Sequence, residues 1–174
     1  EQRHVPVAQA AFLAGFPLFF GGLGSFFGGL VARRLEASGT QTGRVRRALA
    51  VTGFFLAATM LVLSAYLKNP WLAMIAMGAS SFANDLAMPP AWAACMDVGG
   101  KYAGSLAGSM NMMGNFGGMV GPLVLPYLLN LTDNNWTFTF WVSGAVYAIG
   151  GLAWFFIDPV TPLDQDKGIA VAAA

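Results

Sequence analysis

Five stretches of this chain each run for about twenty residues or more with at most one charged side chain inside: Val7 to Ala32, Ala48 to Leu67, Trp71 to Met96, Tyr102 to Leu131 and Trp136 to Ile157. A bilayer core of ~30 Å is crossed by about 20 helical residues at ~1.5 Å each. The pattern predicts five transmembrane helices and an all-α membrane protein. Barrel strands would alternate apolar and polar residues over about ten positions, and these runs do not alternate. Charged residues make up 10% of the chain, against roughly 25% in soluble domains, so a soluble globular fold is excluded. The fourth stretch is longer than a straight span requires, and tilt, a kink or an overhanging end is expected there.

The same arithmetic removes several functions. A net charge of +1 leaves no basic surplus for nucleic acid. One cysteine, Cys95, and one histidine, His4, make neither an internal disulfide nor a metal site. No phosphate-binding loop, nucleophile elbow or zinc-protease pair is present, so neither an ATP-driven pump nor a familiar hydrolase is supported. The chain is expected to be a non-enzyme without a cofactor.

Cations between spans set the expected orientation, because Lys and Arg concentrate on the cytoplasmic side. Arg33, Arg34, Arg44, Arg46 and Arg47 face one acid, Glu36, between the first two spans. That connection is expected inside, the Lys68 turn outside, Asp97 to Lys101 inside, Asp133 to Asn135 outside, and the tail 159–174, with Lys167, inside and disordered. Trp71 and Trp136 then open spans at the outer interface and Trp154 closes one at the inner. This arrangement leaves the amino terminus outside. The chain opens Glu-Gln-Arg-His with neither an initiator Met nor a signal pattern. A piece of a longer protein, lacking an upstream helix, is the expectation; a stand-alone five-helix scaffold or channel subunit is the alternative.

The polar residues inside the spans are the candidate site. An acid at membrane depth costs ~2.5–3.5 kcal/mol on insertion scales and usually faces a cavity or a partner. Asp85 is such an acid. Pro89 and Pro90 lack the N–H groups that would bond the carbonyls of Asp85 and Leu86, a break of the kind transporters place at binding sites. Ser81, Asp85, Met88 and Trp92 share one helix side. Two readings stay open: a cavity wall with Trp92 stacking on substrate, or a packing kink with a structural hydrogen bond. In the fourth span, Gly104, Gly108, Asn111, Asn115, Gly118 and Pro122 project within roughly 40° of one direction. Helix packing explains the glycines. The amides of Asn111 and Asn115 offer two donors and an acceptor each, suited to hydroxyls or a carboxylate, or to a bond across a helix interface.

The stretch from Cys95 to Pro122, with Asp97-Val-Gly-Gly-Lys-Tyr102 and Gly114-Asn-Phe-Gly-Gly-Met-Val-Gly-Pro122, resembles the tenth-to-eleventh helix region of the anion:cation symporter family in the major facilitator superfamily. That family includes bacterial glucarate, galactonate and hexuronate transporters. The preceding Pro-Pro-Ala-Trp92 and the Asn111 position are similar to its bacterial branch, and the resemblance extends from about Gln9 to Asp158. It implies helices eight to twelve of a twelve-helix fold, with the seventh and the whole amino-terminal half absent. It also implies a cavity-facing Asn111 and, less directly, a role for the polar and aromatic positions around Asp85 and Trp92. Many members place a small residue at the position of Asp85. The run Gly28-Gly29-Leu30-Val31-Ala32-Arg33-Arg34 is similar to the second copy of the superfamily's cytoplasmic loop motif. Arg33 stands where the family carries an acid, so anchoring and orientation, not charge relay, are implied for Arg33 and Arg34.

Together these readings predict part of an inner-membrane secondary transporter with a cytoplasmic carboxyl terminus. Residues 1–158 would form the partial carboxyl-terminal bundle. Its expected partners are a small organic anion such as a sugar acid, a coupling proton, the lipid bilayer and the amino-terminal half of the same carrier. Ser81, Asp85, Trp92, Asn111 and Asn115 are the candidate substrate contacts, with Asp85 also a candidate for coupling. A carrier of sugars or drugs is the alternative within the class.

Overall fold

A computed structural model describes residues 7–163, with side chains from residue 15 onward. Six α-helices and a 3₁₀ turn make up the described chain: α1 (Val7–Ala37), α2 (Thr42–Tyr66), α3 (Pro70–Leu86), α4 (Met88–Gly99), the turn Gly100–Tyr102, α5 (Ala103–Leu131) and α6 (Trp136–Ala153). No strand occurs among the described residues. Three segments are long and apolar enough to cross a membrane: Gly15–Ala37, Thr42–Tyr66 and the 62-residue Pro70–Leu131. The last contains α3, α4 and α5, interrupted at Ala87 and turned at Gly100. Arg3, His4 and the tail from residue 164, including Lys167, lie outside the described residues.

Several boundaries have a local chemical cause. Ser38 to Gln41 separates α1 from α2, with Gly39 at φ +89° closing α1 as only glycine does without strain. Asn69 Oδ1 accepts from Trp71 N–H at 2.9 Å and Pro70 occupies the first turn of α3, a position whose N–H needs no helical partner. Asn135 Oδ1 accepts from Phe138 N–H at 3.1 Å to open α6. Pro89 and Pro90 fall in the first turn of α4, where they are tolerated, so the expected interrupted helix is present with its break at Ala87.

The helices meet through small residues. α3 packs between α1 and α2, α6 packs on α2, and α5 touches α4, the 3₁₀ turn and α6 among the described elements. An added β-carbon at Gly24 of α1 would collide with the carbonyl oxygen of Phe82, and one at Gly28 would lie 2.5 Å from that of Leu86. α1 therefore lies directly on the α3 backbone, as small residues at three- and four-residue spacing permit. On the other side of α3, Gly53 faces the Ala83 carbonyl, and Ser80 Oγ donates to the Ala57 carbonyl at 2.8 Å. Trp154, expected to close a span at the inner interface, is the capping residue at the end of α6 and is buried against Ala50, Ala87 and Ala94.

Two further readings change. Arg44, Arg46 and Arg47 belong to α2, which begins at Thr42, and Arg46 is buried. Residues 159–163, expected in a disordered tail, are held: Pro159 is fully buried and Leu163 N–H donates to the Val98 carbonyl at 2.8 Å.

Candidate functional site

Asp85 and Ser81 lie one helical turn apart on α3, facing α1. A β-carbon at Gly21 would stand 2.5 Å from Asp85 Oδ2 and 3.1 Å from Ser81 Oγ, so the carboxylate rests over a bare stretch of α1 backbone. Asp85 Oδ1 accepts from Asn84 Nδ2 at 2.7 Å. Proline removes the usual donor to the Leu86 carbonyl, and α1 covers that oxygen at Gly28, where a β-carbon would stand 2.5 Å away. The released acceptor thus faces protein. Asn84 and Gly21 were not singled out from the sequence; the Gly21, Gly24, Gly28 spacing was the available signal for the contact surface.

Trp92 sits on α4 beyond the break, part exposed. Asn111 and Asn115 are exposed on α5, and Asn115 Nδ2 donates to the Asn111 carbonyl at 2.8 Å. The Asn111 amide makes no hydrogen bond to the described residues, leaving both its donors and its acceptor available. Gly104, Gly108 and Gly118 of the same stripe would meet nothing within 4 Å if given a β-carbon. Since α5 makes no contact with α1, α2 or α3, the described chain holds four of the candidates as two groups, with Trp92 apart on α4. Ser81 and Asp85 line the α1–α3 contact; Asn111 and Asn115 occupy an open face of α5.

A third polar cluster was not anticipated. Arg46 Nη2 donates to Asp97 Oδ2 at 2.5 Å and Nη1 to the Pro159 carbonyl at 2.9 Å. Arg47 Nη2 donates to the Ile157 carbonyl at 2.9 Å. The two arginines tie the start of α2 to the end of α4 and to the segment after α6. Asp158 at this end accepts from the Thr161 hydroxyl and from the Val160 and Thr161 N–H groups, which hold its carboxyl below the usual range. Gly29, Arg33 and Arg34, assigned by resemblance to a loop motif, are helical residues of α1; both arginines are exposed, and Gly29 packs beside Pro89 of α4.

The chain's relatives are carriers. A family model described as Major Facilitator Superfamily matches residues 1–172. A probable sulfoacetate transporter of Cupriavidus necator is 31% identical over 168 residues, covering 95% of this chain and 38% of the relative. A probable galactarate/D-glucarate transporter of Bacillus subtilis is 26% identical over 151 residues, covering 86% and 33%. A chloroplastic ascorbate transporter of Arabidopsis thaliana is 30% identical over 127 residues, covering 73% and 23%. The chain thus spans between about a quarter and two-fifths of the length of these relatives.

Proposed function

The chain belongs to the Major Facilitator Superfamily, and from that premise we propose that it is the carboxyl-terminal part of a secondary carrier for small organic anions. Membership of a transporter family makes it a non-enzyme. The observation that carries the substrate reading is the agreement of its relatives, named for sulfoacetate, galactarate or glucarate, and ascorbate, all small, oxygen-rich acids. α1, α2, α3 with α4, α5 and α6 would act as five spans beside an amino-terminal half, and the two halves would rock about a central site, opening it to each side in turn.

On this reading the open amide of Asn111 and the remaining amide hydrogen of Asn115 hold hydroxyl or carboxylate oxygens of the anion, and Trp92 offers an apolar face to its carbon chain. The support is geometric: Asn111 has an unspent amide, and the α5 stripe around it is exposed and small. Ser81 and Asp85 form the second polar group, with Asp85 taking up and releasing the coupling proton as its surroundings alternate between wet and dry. The positive-inside pattern supports an inner-membrane carrier with its carboxyl terminus in the cytoplasm.

Ligand-dependent stability tests the substrate class. The protein with its whole natural chain is heated in detergent with sulfoacetate, D-glucarate, ascorbate or uncharged glucose. A ligand present at 100 times its Kd stabilises by about 2.7 kcal/mol, so at least one acid should raise the unfolding temperature while glucose does not. Stabilisation by glucose alone would replace the organic-anion reading with a sugar carrier.

A further inference from the structure

The antiparallel packing of α2 on α6 leaves a groove on the side of α2 turned away from α3. Leu49, Gly53, Ala57 and Ser64 of α2 are buried, and ~100° per residue carries Ala58, Val62 and Tyr66 well round from that buried stripe. The groove has a volume of about 340 Å³ and is lined by Ala58, Val62, Gly144, Ala145 and Ala148, with Trp141 at one end. This lies near the lower end of the range for small-molecule sites, roughly 300–1,000 Å³. Its walls are nearly all hydrocarbon. The hydroxyl of Thr59, which also lines the groove, is spent on the Phe55 carbonyl at 2.8 Å.

The mouth differs from the walls. Trp141 Nε1 donates to the Tyr66 hydroxyl at 2.8 Å, using that oxygen as an acceptor and leaving its own O–H free to donate outward. Two residues on, Lys68 is exposed in the turn and makes no ion pair with the described residues. An apolar trough therefore leads to a hydroxyl donor and a cation at one helix end. Asp133, in the turn before α6, is the acid that the topology brings to the same end.

We propose that this groove binds one anionic phospholipid, with an acyl chain between α2 and α6 and the phosphate at Tyr66 and Lys68. Apolar walls match the chain, and the mouth's donor and cation match a negative headgroup. The site faces away from Ser81 and Asp85 and requires only that these helices stand in a bilayer, not that the carrier's substrate is an acid.

Native mass spectrometry of the protein with its whole natural chain, released from nanodiscs of equal parts palmitoyl-oleoyl phosphatidylglycerol and phosphatidylcholine, tests the site. The parent should retain one phosphatidylglycerol per chain. Ala145→Phe, which fills the groove from an exposed position, should lower that retention about tenfold. Lys68→Gln should reduce the preference for phosphatidylglycerol about fivefold, the share expected of one interfacial cation. Equal retention after Ala145→Phe, or an unchanged preference after Lys68→Gln, overturns the proposal. So does a dimer that Ala145→Phe dissociates without loss of lipid, since the occupant is then a second copy. If Ala145→Phe fails to fold, Lys68→Gln in its exposed turn still decides.

Discussion

Removing the carboxylate that holds Arg46 should cost far more than a surface ion pair does. The two side chains are unequal: that of Arg46 is 8% exposed and that of Asp97 54%. A fully exposed pair contributes ~0.2–1 kcal/mol, whereas removing one partner of a buried pair costs ~3–5 kcal/mol. Asp97→Asn leaves a buried guanidinium that keeps the Pro159 carbonyl but loses its counter-charge, and about 1.5–3 kcal/mol is expected, the range for bonds to charged groups. Arg46→Met removes both bonds while keeping much of the stem's packing, and leaves Asp97 to water. The decisive quantity is the coupling. SDS-driven unfolding, followed by helicity, on the parent, both single variants and the double variant should give a coupling of about 1 kcal/mol or more. High salt should weaken it less than it weakens a fully exposed pair, since the Arg46 side is shielded from solvent ions. Single effects that add to within ~0.5 kcal/mol would refute the clamp, because independent sites behave that way.

Four further outcomes are expected. Gly24→Leu should destabilise the bundle by at least ~1–3 kcal/mol in the same assay, since its side chain meets the Phe82 carbonyl, whereas Gly114→Leu, with open space around it, should be nearly neutral. Asn111→Ala should weaken anion binding by ~0.5–1.5 kcal/mol, or more if it meets a charged oxygen, with no loss of folded protein in a ligand titration. Asp85→Asn should retain exchange of substrate across the membrane but lose accumulation driven by a pH gradient; accumulation equal to the parent's at every pH would leave Asp85 a packing residue. With Cys95→Ala as background, Thr40→Cys, beside the strained position of Gly39 but not on it, should react with impermeant maleimide only after the cells are opened.

The helices were legible because lipid and water impose a coarse filter: long uncharged runs can be little else than helices. The break at Pro89 and Pro90 was legible because a missing N–H is a local fact. The burial of Trp154 was not legible, because the alanines it packs on come from α2, from the break itself and from α4. Arg46 was read as a loop cation for a similar reason. Its partners Asp97 and Pro159 are 51 and 113 residues away, beyond the reach of any local pattern. The stripe of Asn111 and Asn115 followed from helical periodicity, but its separation from Ser81 and Asp85 depends on how α5 stands against its neighbours, which periodicity does not specify.

Counterflow into proteoliposomes tests the central claim most directly. Vesicles carrying the protein with its whole natural chain are loaded with unlabelled D-glucarate or sulfoacetate and diluted into a trace of the same labelled acid. A carrier for small organic anions should concentrate the label transiently inside at least one of the two preparations, and Asn111→Ala should slow that overshoot. No overshoot with either acid, from vesicles in which labelled glucose does overshoot, would contradict the account.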